Sequence, residues 1–208
     1  MQLRYVDATV VSARIRDTLG FMTELVEIAP PRFDVSLALA YATDDNVTGR
    51  RIYRRAACYL HRDAAALLDR AVGLAAAQGL KLIVFDGYRP VEAQWALWRQ
   101  CPDPTFLADP RRGSPHSRAV AVDLGLADRE TGIPLDMGTG FDDLTPRAFH
   151  GSTAPTTAAQ RNRMLLLGLM ASAGWDHYLN EWWHYQMFTP RRYPLLWDSA
   201  AGTGLMGP

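Results

Sequence analysis

The chain has 208 residues, with 22 lysines and arginines against 22 aspartates and glutamates, and 48% of its residues are apolar. That length supports one large domain with a sizeable core, and zero formal net charge excludes a general nucleic-acid binder or a polybasic membrane anchor, both of which need a basic surplus. Whatever such a chain recognises is expected to be small and handled in a local pocket, because no global field steers it.

The start, MQLRYVDATVVSAR, carries Asp7 and scattered arginines where a signal peptide has an unbroken apolar stretch. The longest strongly apolar run, from Met164 to Ala171, is far short of the ~18 residues that a membrane span needs. Cys58 and Cys101 are too few for a disulfide scaffold and lie outside any CxxC, so both are expected as free thiols. Together these features point to a cytoplasmic protein.

In chain order, Val35–Tyr41 alternates as a strand and leads into a turn-rich TDDNVTGR. Asp63–Gln78 reads as a helix capped by Asp63, with Gly79 just past its end. Leu80–Asp86 is a short apolar run suited to an interior strand, and Pro90 opens a second helix to about Gln100. The stretch 101–115 holds four prolines and a glycine, which makes it a loop. Ala119–Leu126 alternates again, with Val120, Val122 and Leu124 on one face and Ala119, Ala121, Asp123 and Gly125 on the other. A turn at 128–132 leads into Ile133–Leu135, a long helix spans Thr157–Ala173, and two aromatic strands follow at Trp175–Leu179 and Trp182–Phe188. Helices grouped with hairpins predict an α+β fold with a central, mainly antiparallel sheet and flanking helices.

Three segments place polar groups where a purely structural reading is awkward. In SPHSRAVAVD, His116 precedes a strand and Asp123 points off its small-residue face, where burial is costly without a cation or partner. In EWWH, Glu181 and His184 sit among tryptophans, and in DGYRP, Arg89 emerges at a strand end. Two imidazoles and a carboxylate suit a zinc ion with an open fourth position for water, and Glu181 is a candidate base for that water's proton. Arg89 is a candidate for a developing oxyanion. On one ideal strand, Glu181 and His184 would face opposite ways, so a bend at Glu181 is required. Each signal taken alone has a plain alternative: His184 as a core imidazole, or Arg89 pairing with Asp86 in a turn.

FDGYRP at 85–90, SPHSRAVAVDL at 114–124 and EWWHY at 181–185, in this order, resemble the zinc D-alanyl-D-alanine dipeptidases. YATDDNVTG, MGTGFDD and AQRNRMLL extend the likeness over most of the chain from about residue 35, so residues 1–208 are expected to form a single catalytic domain. The resemblance implies hydrolysis of the free zwitterionic dipeptide in a small closed cavity. It implies one zinc per chain on His116, Asp123 and His184, with Glu181 as base and Arg89 as transition-state stabiliser. It places Asp142 near the substrate ammonium with Tyr41 beside it, and Ser114 near the carboxylate end. Asp143 is adjacent to Asp142, and the plain alternative for either is a solvated loop acid. Ala119 departs from the family pattern, which has glycine there; an added methyl beside a ligand is expected either to be absorbed or to narrow the pocket. Pro115 also replaces a small polar residue. The neighbouring readings are a zinc D,D-carboxypeptidase, an L-Ala–D-Glu-type peptidase, or a non-catalytic module that kept the fold.

Overall fold

The computed structural model describes residues 24–207. Five strands form the main sheet in the order β2-β4-β5-β7-β6. They are β2 (Val35–Leu37), β4 (Leu80–Asp86), β5 (Ala121–Asp128), β6 (Asp176–His177) and β7 (His184–Gln186), while β1 (Leu25–Glu27) and β3 (Tyr59–His61) pair as a separate ribbon. Only β2 and β4 run parallel; the other neighbours are antiparallel, as the α+β reading requires. β5 lies at the centre, and both of its faces are buried. Gly125, on the same face as Asp123, lies under Phe85, whose ring would be 3.1 Å from a Cβ there.

The long helices begin and end where capping chemistry puts them, with one exchange of roles. α1 (Arg62–Ala77) is capped by His61, whose ring accepts from the Asp63 amide at 3.2 Å. Asp63 therefore lies in the first turn, where its charge suits the helix dipole, and is not the cap. Gly79 takes a φ of +69° past the helix end, the left-handed conformation expected there. α2 (Val91–Gln100) follows Pro90, and α3 (Thr157–Ala173) is capped by Thr156 through the Ala159 amide. α1 packs on both β4 and α3. A short α4 (Asp198–Ala201) near the end of the chain has no counterpart in the sequence reading. The 128–132 turn forms as expected, with Gly132 donating to Asp128 and Ala127 bridging Pro134. Cys58 is buried, Cys101 is half-buried, and both are free thiols. No helix among the described residues is long and apolar enough to cross a membrane.

Three predicted strands are shorter than their patterns suggest. β2 stops at Leu37 because its only partner is β4, and the last bond beyond it is Ala38 N–H to the Val84 carbonyl. The chain then curls into a one-turn 3₁₀ segment at Ala40–Ala42, which carries Tyr41 inward. Trp175–Leu179 and Trp182–Phe188 shrink to β6 and β7 because residues 178–184 form a tight turn. There Glu181 N–H donates to the Tyr178 carbonyl at 3.2 Å and His184 N–H to the Glu181 carbonyl at 3.3 Å. This is the bend that Glu181 and His184 need to share one side.

Candidate active site

The sheet places three acids and bases at one point. Asp123 of β5 lies opposite His184 of β7 on one side and Asp86 of β4 on the other. The second pairing depends on a register slip between Val84 and Asp86, which aims Asp86 at Asp123. His116 arrives from a 3₁₀ turn, His116–Arg118, whose approach is held by the Ser114 hydroxyl accepting the His116 amide at 3.2 Å. The turn closes on Ala119, at φ +57° and ψ +28°, which donates to the His116 carbonyl at 2.9 Å and accepts from the His61 amide at 2.7 Å. A side chain in this left-handed region costs roughly 1–2 kcal/mol that glycine avoids, which explains a glycine in the family pattern. The Ala119 methyl is absorbed in the core and does not line the cavity.

His116 Nε2, His184 Nδ1 and Asp123 Oδ1 form a small triangle. The two imidazole nitrogens are 3.1 Å apart, His184 Nδ1 is 3.2 Å from Asp123 Oδ1, and His116 Nε2 is 3.3 Å from it. A tetrahedral ion with ligands at about 2.0–2.1 Å spaces its donors by about 3.3–3.4 Å, so the triangle matches one face of such a site. The outer nitrogens fix the tautomers. His116 Nδ1 faces the Gly87 carbonyl at 2.8 Å, and His184 Nε2 faces Gln186 Oε1 at 3.1 Å. A ring that donates outward turns a lone pair inward. Two such lone pairs and a carboxylate oxygen converging in a buried place suit a metal cation. All three residues are buried, and they are the described group that could hold a metal.

Arg89 balances the charge behind that triangle. Its Nε donates to Asp86 Oδ2 at 2.7 Å, its Nη2 to Asp123 Oδ2 at 3.1 Å, and its Nη1 to Gln94 Oε1 at 3.2 Å. Tyr53 donates to the other Asp86 oxygen at 2.8 Å, and the Arg89 guanidinium lies 4.9 Å from the Tyr41 ring centroid. Burial alone raises the Asp123 carboxyl, but the facing imidazoles outweigh it and hold the group well below the usual carboxylate range. At Asp86 burial wins over Arg89, and the pKa rises. Thus Arg89 does pair with Asp86, and it also reaches a member of the triangle. These bonds engage three of its five N–H groups, and the side chain still lines the cavity.

That cavity measures about 220 Å³, and its lining includes Tyr41, Arg89, Ser114, His116, Asp123, Asp142, Glu181 and His184, the eight residues to which the resemblance assigns a role. It is smaller than the ~300–1,000 Å³ of pockets for drug-sized ligands. Glu181 Oε2 lies 4.0 Å from His184 Nδ1. Its pKa is raised well above the ordinary value by burial first, then by the Asp123 and Asp142 carboxylates, with Arg89 opposing. Phe141 stacks on Phe85 at 5.1 Å and edges onto Trp183 at 5.5 Å, which fixes the position of Asp142 beside it. The Tyr41 hydroxyl donates to both Asp142 oxygens at 3.1 and 3.0 Å. Asp143 instead accepts from the Thr145 hydroxyl on the surface, so Asp142 is the acid that faces the cavity. The sequence reading missed Gln186, Gln94, Tyr53 and the stretch 104–108. None lies in a motif of metal-binding or catalytic residue types, and each gains its role only from the contacts that the fold brings about.

A model of the "D-ala-D-ala dipeptidase" family matches residues 22–194. A D-alanyl-D-alanine dipeptidase of Escherichia coli K12 is 46% identical over 178 residues, 85% of this chain and 91% of the relative. The chain belongs to the D-Ala-D-Ala dipeptidase family. Further dipeptidases of the same name resemble it, from Enterococcus faecium at 33% over 70% of this chain and 82% of the relative, and from Streptomyces coelicolor at 33% over 71% and 83%. Membership in the D-Ala-D-Ala dipeptidase family agrees with the resemblance read from the motifs, and the buried His-Asp-His triangle fits a metal ion in that family.

Proposed function

We propose that this protein hydrolyses free D-alanyl-D-alanine to two D-alanines, using a zinc ion held by His116, Asp123 and His184. The observation that carries the reading is the donor triangle, with both imidazole tautomers fixed from outside and Glu181 within 4.0 Å of His184. The names of the relatives supply the substrate. When bound, zinc supplies Lewis acidity toward a carbonyl and lowers the pKa of a water toward about 7.

The chain's own residues do the rest. Glu181 takes the proton of the attacking water and returns it to the leaving amine, a task suited to a carboxylate whose proton affinity is raised by burial. The N–H groups that Arg89 has left face the developing oxyanion, while its other three keep the fork rigid. Asp142, held by Tyr41, receives the substrate ammonium, and Ser114 lies toward the carboxylate end. A zwitterion is neutral overall, so these few local charges do the recognising. The whole chain acts as one catalytic domain in the cytoplasm, and the reaction serves either cell-wall precursor turnover or glycopeptide resistance. Glu181→Gln tests the assignment: about one zinc per chain is retained while kcat falls by roughly 10²–10⁴. Undiminished turnover refutes Glu181 as the base.

A further inference from the structure

One wall of the cavity is not part of the sheet. Pro104, Phe106, Leu107 and Ala108 line it from a strap between α2 and the His116 turn. The strap is a compact turn in its own right. The Asp103 carboxylate accepts from the Thr105 amide at 2.8 Å, and the Asp103 carbonyl accepts from Phe106 at 3.2 Å and Leu107 at 2.9 Å.

Its two ends are held differently. At the inner end, buried Gln94 donates through Nε2 to the Ala108 carbonyl at 2.8 Å, while its Oε1 accepts from Arg89. At the outer end, the Thr105 carbonyl accepts from the Tyr178 hydroxyl at 2.8 Å and from Asn180 Nδ2 at 3.2 Å. Asn180 Nδ2 also donates to the Tyr178 oxygen at 3.2 Å, so the two side chains support one another. Both bonds to Thr105 are exposed to solvent. Water replaces exposed hydrogen bonds at small cost, whereas a buried amide such as Gln94 is expensive to strip of its partners. The outer end, held by two exposed bonds, is therefore the weaker of the two attachments, and the Gln94 end, next to buried Leu107, is the firmer one. Tyr178 and Asn180 stand on the same turn as Glu181, so the latch spans the cavity from the strap to the catalytic carboxyl's own segment.

The geometry points to Tyr178 and Asn180 as specificity-determining residues: they latch the strap at the Thr105 carbonyl and confine the cavity to a free dipeptide, excluding one that continues as a longer peptide. This deepens the dipeptidase reading and rests on it for the choice of ligands. Opening the strap makes room for a third residue without touching His116, Asp123, His184 or Glu181, none of which bonds to Thr105.

The test uses the zinc-loaded full chain carrying Tyr178→Phe with Asn180→Ala, and Asn180→Ala alone as the milder variant. The ratio of kcat/KM for D-Ala-D-Ala to that for D-Ala-D-Ala-D-Ala is expected to fall about tenfold in the double variant and by less in the single one. Hydrogen exchange at the Phe106 and Leu107 amides is expected to quicken about tenfold, with Leu124 in β5 unchanged as the control for folding. An unchanged ratio, or unchanged exchange in the strap, overturns the latch. If the wild-type chain cleaves neither peptide, the dipeptidase reading fails, and strap exchange alone then decides whether the latch exists.

Discussion

Arg89→Ala should cost stability as well as turnover, by an amount that grows with pH. Arg89, Asp86 and Asp123 are 4%, 1% and 2% exposed, and the arginine bonds to both carboxylates at 2.7 and 3.1 Å. At an effective dielectric near 20, two contacts of that length amount to roughly 11 kcal/mol of gross attraction, most of it offset by desolvation. Removing one partner of a buried ion pair costs about 3–5 kcal/mol, because the remaining charge is left uncompensated. In the variant, Asp86 and Asp123 lose their cation: the folded-state pKa of Asp86 rises further above the unfolded ~3.9, and that of Asp123 rises from its depressed value, so both changes remove stability at higher pH. A raised carboxyl pKa means that stability is lost as pH rises through the window between the unfolded and folded values. Urea denaturation of metal-free protein should therefore show a deficit of about 3–5 kcal/mol at pH 8 and a clearly smaller one at pH 5. A deficit under about 1 kcal/mol at pH 8 refutes charge balance by Arg89. A pH-independent deficit would assign the loss to packing instead.

The remaining expectations concern the outer partners of the site and one buried ring. Gln186→Leu removes the acceptor that fixes the His184 tautomer, so zinc affinity in a chelator competition should fall about 10- to 100-fold, and an unchanged affinity removes Gln186 from that role. His150 is buried, neither of its ring nitrogens has a hydrogen-bond partner among the described residues, and its pKa is pushed down to about 4 by burial first and then by His177 and Arg163. Protonation therefore favours the unfolded chain, and wild-type stability should fall as pH drops from about 6.5 to about 4, by up to ~3 kcal/mol. His150→Phe should lose less over the same interval; an identical pH slope in urea denaturation contradicts this.

Which parts of the molecule were legible in the sequence follows from the range of the forces involved. α1, α3 and β4 are set by local periodicity and capping, and a pattern reader finds them from neighbouring residues alone. The metal triangle was legible because histidine and aspartate beside small residues are costly without a function, and because the motifs occur in family order. β2 and the two aromatic strands were overextended because strand length depends on having a partner, which alternation does not encode. The double duty of Arg89 was half visible: Asp86 is three residues away, whereas Asp123 comes within reach only through the β4–β5 register slip. Gln186 and Gln94 carry no chemical signature, and only the fold gives their amides a His184 or an Arg89 to hold. The glycine position occupied by Ala119 acquires its reason only from the observed left-handed backbone.

The central claim, a zinc centre that splits one small zwitterion, is tested most directly by a dipeptide stereochemistry panel run with and without a chelator. Purified protein should carry about one zinc per chain, release D-alanine from D-Ala-D-Ala, leave L-Ala-L-Ala intact, lose activity to the chelator and regain it with added zinc. Hydrolysis of D-Ala-D-Ala that survives complete metal removal, or equal cleavage of the L,L dipeptide, contradicts the account.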